Sequence, residues 1–249
     1  ADLRNVSFKG ANLSASDLSG SDLRGADLKD TIIKGTNLDM TETAGADFEQ
    51  AVTEDPTGTE IDDVVENFEE LLEEHTLWIK TAGKQGSQMD LSGFDLRDFQ
   101  DINKYKLTAM KAIGANFLNL DFSSAGIQSS ILDESDFRDC RFVMADLRGT
   151  SFKNARLSRC DFTKADLSPL VLAQGRALPV NMSGASLRYS KFQETNMREI
   201  KLANTDLSYA DLSGCDLTKA DLRGAKLDGA ILVDAILDEA QMDDDVAYV

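Results

Sequence analysis

An apolar residue recurs at every fifth position along most of this chain, and the phase holds from Ile102 to Met242. None of the 29 positions in that series is polar. A period of five matches neither the helix, at 3.6, nor the strand, at 2, so the pattern is that of a repeat. Call the central apolar residue i. Position i−2 is small, as in Ala145, Ala165, Ala210 and Ala220. Position i−1 is often Asp or Asn, as in Asp146, Asp166, Asp211 and Asp221, and positions i+1 and i+2 are polar. Twelve of the 17 glycines stand at i+2. Glycine tolerates positive φ, so each unit reads as a short extended piece followed by a corner. One large and one small apolar residue per unit would fill a narrow tube clothed in polar side chains.

The runs ADLSG, ADLRG and ANLSA resemble the consensus A(D/N)LXX of the pentapeptide repeat family. The resemblance covers residues 1–50 and 89–242, with about 40 copies in phase. It implies an all-β solenoid, a right-handed quadrilateral pentapeptide-repeat β-helix with four units per coil and positions i and i−2 pointing inward. Coils spaced at about 4.8 Å would make 102–242 a rod of seven coils, on the order of 35 Å long. A 20-residue coil predicts ladders. Phe122, Phe142 and Phe162 should share one face, followed by Met182, Leu202 and Leu222. Some members of the family resemble B-form DNA in shape and charge, and bind DNA gyrase.

Residues 51–88 break the repeat and divide the chain into a first repeat segment, 1–50, an acidic helical insert, 51–88, and a main β-helix, 89–249. Pro56 and Gly58 open a loop, and Thr59 reads as an N-cap with Asp62 three residues on. Ile61, Val64, Val65, Phe68, Leu72, His75 and Ile79 then recur at helical spacing, and Gly83 marks a C-terminal stop. The stripe reads as one long α-helix, or two with a break near His75, whose apolar face should cover the open end of the main β-helix, which starts at Met89. Smaller irregularities follow. The phase slips by one residue between Leu96 and Ile102, and Thr43 replaces an apolar centre, which suggests fraying there. The consensus fades from Pro169 to Pro179, although Leu172 and Met182 keep the phase. A bulged loop over 173–180 is the expectation, and a degenerate coil is the alternative.

The net charge of −18 disfavours direct binding to nucleic acid or anionic membrane. Its distribution matters more than its total. Residues 54–74 hold ten acids and no base, and without them the net charge is −8. The helix face carrying Glu66, Glu69, Glu70, Glu73 and Glu74 contains like-charge i,i+4 pairs that cost roughly 0.2–0.5 kcal/mol each. It reads as a solvated face or as a docking surface for a basic partner. Cys140, Cys160 and Cys215 all occupy the small inward slot, as buried reduced thiols. Their odd number, with no secretory signal, fits the cytoplasm. No apolar run is long enough to span a membrane.

Catalytic motifs are missing. The one histidine, His75, sits beside the apolar helical stripe and reads as a partly buried capping residue. There is no phosphate loop, dinucleotide fingerprint or metal spacing, so no cofactor is implied. The expected function is a non-enzymatic protein–protein interaction scaffold whose protein partner meets the acidic helix face and the loop around Gln174, Gly175 and Arg176. Nothing in the sequence points to an oligomeric state. The alternatives are a DNA-mimicking regulator of gyrase and a structural spacer of a larger chain.

Overall fold

The computed structural model describes residues 1–55, 58–60, 68–99 and 102–243. The chain divides into two compact units, Ala1–Thr57 and Gly58–Val249. Both are built on one device, in which position i−1 of each pentapeptide bridges in parallel to the residue 20 positions on, as in Asp2↔Asp22 and Asp121↔Arg141.

An accounting of the backbone N–H groups explains the repeat. The central N–H donates to the next coil, as Phe142 does to the Asp161 carbonyl at 2.7 Å, and the i+2 N–H does the same, Met144 to Thr163 at 3.0 Å. The i−1 N–H donates to the previous coil, Asp161 to Cys140 at 3.0 Å. The i+3 N–H closes the corner on the central carbonyl, Ala145 to Phe142 at 3.0 Å. One N–H per unit is left, at i+1, and the Asp or Asn at i−1 accepts it. Ser123 N–H donates to Asp121 Oδ1 at 2.8 Å, and Thr163 N–H to Asp161 Oδ1 at 3.0 Å. The consensus acid is thus a corner cap. The i+2 residue lies in the left-handed region, at φ 58° for Met144 and 71° for Gly149, as the third residue of a type II turn requires.

The inward slots follow the same logic. Where i−2 is Ser, Thr or Cys in the main β-helix, its side chain donates to a carbonyl of the preceding coil. Ser130 Oγ donates to the Leu107 carbonyl at 2.9 Å, Thr150 Oγ1 to Ile127 at 2.7 Å, and Cys140 Sγ to Phe117 at 3.0 Å. All three cysteines are free and buried. Burial pushes the Cys140 and Cys160 thiols well up, and Cys215 up to about 12. They act as small core residues with a weak donor.

In the first unit the ladder runs unbroken to Ile32↔Val52. The fraying expected at Thr43 does not occur. Its side chain is exposed, but the flanking Glu42 and Asp47 stay bridged to Asp22 and Asp27. Leu23, Ala26 and Leu28 form the buried centre of this unit.

The second unit holds one continuous core from Phe68 to Leu222. Phenylalanines stack along it, Phe122 on Phe142 at 5.0 Å and Phe142 on Phe162 at 4.9 Å. The next ring is Phe192, at 4.8 Å from Phe162, and not Met182. The cause is an excursion between Pro169 and Pro179. Ser151 bridges to Asn181, 30 residues on, so ten residues leave the coil and the ladder order shifts by two units. Strands β3 (Leu170–Val171) and β4 (Ala177–Leu178) pair antiparallel around a 3-10 turn at Ala173–Gly175. The loop expected over 173–180 is therefore a hairpin starting at Leu170. Leu172 keeps the period in sequence but sits in this hairpin, 36% exposed, and half a coil is lost from the expected seven. The one-residue slip after Leu96 appears as 21-residue bridges, Asp90↔Lys111 and Asp95↔Asn116, beside a 3-10 turn at Ile102–Lys104.

Before this core comes a short strand, then a helix. Thr59 lies in β1 (Thr59–Glu60), paired in parallel with β2 (Phe94–Asp95), and the residues that an N-cap at Thr59 would lead into, 61–67, lie outside the described residues. Helix α1 spans Phe68–Lys80, and the sequence-predicted helical positions Ile61, Val64 and Val65 fall outside the described residues. Phe68 packs edge-on against Phe99 and Tyr105, with ring centroids 4.5 and 5.3 Å away, and Leu72 adds to the same cluster. The helix ends as expected at Gly83, whose N–H donates to the Trp78 carbonyl at 2.8 Å with φ at 80°. The returning loop presses against it at Gly86, where a Cβ would lie 2.2 Å from the Glu74 carbonyl oxygen. Gly86→Ala should therefore cost about 1–3 kcal/mol more than Gly93→Ala. Gly93 has the same left-handed backbone but open space around it, so the gap between the two melting curves isolates the collision.

Candidate interaction surfaces

The walls of the β-helix carry many charges, and most are neutralised in place. Wherever the repeat reads Asp-Leu-Arg or Asp-Phe-Arg, the arginine folds back onto its own corner acid. Arg148 Nη2 lies 2.6 Å from Asp146 Oδ2, and Arg223 Nη2 lies 2.7 Å from Asp221 Oδ2. The Arg4 guanidinium holds the Asp2 carboxyl at about 2, and Arg24 and Arg223 hold Asp22 and Asp221 low in the same way. Arg138, at an outward position, is nevertheless buried, with its fork on Asp136. Nothing in the repeat pattern foretold that burial.

The acidic helix face is partly visible. Glu70, Glu73 and Glu74 are exposed on α1, Glu69 lies on the same helix, and Glu66 falls outside the described residues. His75 is fully buried rather than partly so. Its Nδ1 accepts from the Met89 N–H at 3.0 Å, and its Nε2 stands 3.0 Å from the Thr108 carbonyl. Both ring nitrogens are spent on the backbone of the first coil, so His75 pins the helix to the β-helix and offers nothing to a substrate.

The hairpin brings Gln174, Gly175 and Arg176 to one tip, in the 3-10 turn and just after it. That tip is apolar, with Val171 70% exposed and Ala173 and Ala177 also exposed. Its foot packs on Gly149 through Leu170 and Leu178. Beside it runs a shallow polar groove lined by Pro179, Glu199, Lys201, Lys219, Asp221 and Arg223. A third surface escaped the sequence reading. Tyr189 and Tyr209, each half exposed, stack at 5.1 Å on one corner, and the Arg188 guanidinium lies 5.5 and 5.8 Å from their centroids. Their 20-residue spacing at position i+2 was the available signal. Among the described residues no group of acids, His or Cys is placed to hold a metal ion, and no helix is long and apolar enough to cross a membrane.

Residues 1–39, 130–168, 181–218 and 215–244 match the sequence model described as pentapeptide repeats, in eight copies. The chain belongs to the pentapeptide repeat family. Such proteins share the right-handed β-helix, and no catalytic family is indicated. Similar solved structures include a trypsin-treated form of QnrB1, a plasmid-mediated fluoroquinolone resistance protein. It is 24% identical, over 61% of this chain and 72% of that one, at a TM-score of 0.39. HetL, a pentapeptide repeat protein involved in heterocyst differentiation regulation in the cyanobacterium Nostoc sp. strain PCC 7120, is 24% identical, over 100% and 90%, at a TM-score of 0.21. A pentapeptide repeat protein of the Arabidopsis thaliana thylakoid lumen is 23% identical, over 53% and 67%, at a TM-score of 0.31. No curated protein matches the chain.

Proposed function

We propose that this pentapeptide repeat protein is a non-enzymatic, cytoplasmic protein–protein interaction scaffold. Two quadrilateral β-helical segments, 1–50 and 89–249, flank an acidic helical insert, 51–88, and present rigid surfaces to a protein partner. The hairpin carries this reading. The coil needs none of its ten residues, since Asn181 takes up the ladder on Ser151, yet they place Val171, Leu172 and Arg176 in solvent. A solenoid that exposes an apolar tip at no structural gain is set up for recognition. The exposed Glu70, Glu73 and Glu74 add a second surface, suited to a basic partner. Docking on such a preorganised frame orders little of the scaffold.

The test is a crosslinking capture from native lysate with three baits. One is the intact chain. One has Glu66, Glu69, Glu70, Glu73 and Glu74 changed to Gln, and one has 169–179 replaced by a single glycine, which removes the ten extra residues and restores the 20-residue coil. A prey held by the first and lost from either variant assigns the docking surface, and absence of any prey specific to the intact chain sinks the reading. Mimicry of DNA toward gyrase is the rival from another class. The local Asp–Arg clasps weigh against it, because they break up the rows of free carboxylate that a phosphate mimic needs. An effect of the protein on gyrase supercoiling would restore it.

A further inference from the structure

The tyrosine corner has a purpose the coil does not supply. Position i+2 requires positive φ, a conformation that bulky side chains enter reluctantly. Glycine, asparagine and small polar residues fill much of it, and Tyr189 and Tyr209, at φ 59° and 60°, are its only aromatic occupants among the described residues. They occur in consecutive coils, one above the other, with the Tyr209 N–H bonded to the Asp228 carbonyl of the coil above. Below them the column is filled by Arg159, which forks onto Asp139. Among the described residues Gly229 stands above Tyr209, and a Cβ there would come within 2.6 Å of the ring. Among those residues no side chain of this column lies over the end of the aromatic stack.

We propose that this corner is a docking site for an arginine side chain of a basic protein segment, whose guanidinium continues the stack on Tyr209. This rests on the reading of the chain as a protein-binding module. Three observations select the occupant. The rings already draw a guanidinium, that of Arg188, which flanks both of them and is itself neutralised by Asp206 at 3.3 Å. A planar guanidinium stacks on an aromatic face where a compact ammonium gains less. The exposed Asp228 precedes Gly229 on the coil above Tyr209, in a chain of net charge −18, so the rim favours a cation.

The experiment is a titration of the full chain, labelled in its tyrosine rings, with a hexa-arginine peptide and a hexa-lysine peptide, followed by NMR. The expected result is a saturable shift of the Tyr189 and Tyr209 ring signals, tighter for arginine. Tyr209→Phe should bind as the parent does, while Tyr209→Leu, which keeps every charge, should bind about threefold or more weakly. Asp228→Asn should also weaken binding, and gives a second reading if the leucine variant melts early. Binding that leaves these rings unmoved, or that is equal for Tyr209→Leu and the parent, means diffuse attraction to an acidic protein and overturns the site. No binding overturns it as well. The lysate capture reports on the helix and hairpin residues, so either result stands whatever the other shows.

Discussion

Leu147→Asp is expected to abolish cooperative unfolding of the second unit. Leu147 is fully buried, with its N–H on the Asp166 carbonyl at 2.9 Å and its carbonyl closing the corner to Thr150. A leucine in such a slot contributes roughly 1.5–3 kcal/mol through burial alone. An aspartate there would lose that and leave a carboxylate in a dry tube with no partner, for a further several kcal/mol. The cost compares with the whole stability of an ordinary domain, about 5–15 kcal/mol. Nearest-neighbour coupling would carry the damage into the coils on either side. The control lies three residues away. Met144 is 63% exposed and left-handed, so Met144→Asp should be neutral or slightly stabilising. Thermal unfolding followed by circular dichroism reads both. A Leu147→Asp melt close to that of the parent would mean that the inward register is wrong.

That register was legible because a period of five leaves one arrangement in which large and small residues meet inside and acids stay outside. The acid at i−1 was legible only as a frequency. Its role as the acceptor for the one unpaired N–H of each unit needs the backbone, as does the fold-back of Arg148 onto Asp146. The hairpin misled the reading because its ten residues equal two pentapeptides. Leu172 stays in phase although it has left the tube, and the ladder beyond Phe162 resumes two units late, at Phe192. A length outside the multiples of five would have shown itself, as the single extra residue after Leu96 did. The pairing of Thr59 with Phe94 was illegible for a different reason: it is a long-range contact with the open strand edge of the first coil, which no local signal announces. Of the three candidate surfaces, the acidic helix and the hairpin announced themselves by breaking the repeat. The tyrosine corner obeys it, and so passed as ordinary wall.

Lowering the pH from 7 toward 5 should loosen the helical cap before it touches the coils, and His75 is the reason. Burial pulls its pKa below the ordinary 6.5, against the smaller opposing pull of the Thr108 carbonyl. In the unfolded chain the ring takes up a proton near 6.5, while in the folded chain it stays neutral to lower pH, accepting from the Met89 N–H. Between those two values the unfolded state binds more protons, so stability falls as pH falls, by at most about 1.4 kcal/mol per pH unit. Above 6.5 this contribution is flat, and below the folded value its loss is complete. The corner acids act in a separate window. Arginine hydrogen bonds hold Asp2 at about 2 and Asp22 and Asp221 below the usual carboxylate range, so the contribution of these three disappears only below about pH 4. Trp78, the one tryptophan, stacks on His75 at 6.0 Å, and its emission during denaturant unfolding reports the cap directly. His75→Phe should remove the dependence between pH 7 and 5. It should also destabilise the cap at pH 7 by about 1–3 kcal/mol for each buried backbone group left without its partner, the Met89 N–H and the Thr108 carbonyl. A parent protein whose Trp78 transition is the same at pH 7 and pH 5 would show that the ring does not hold the helix in place.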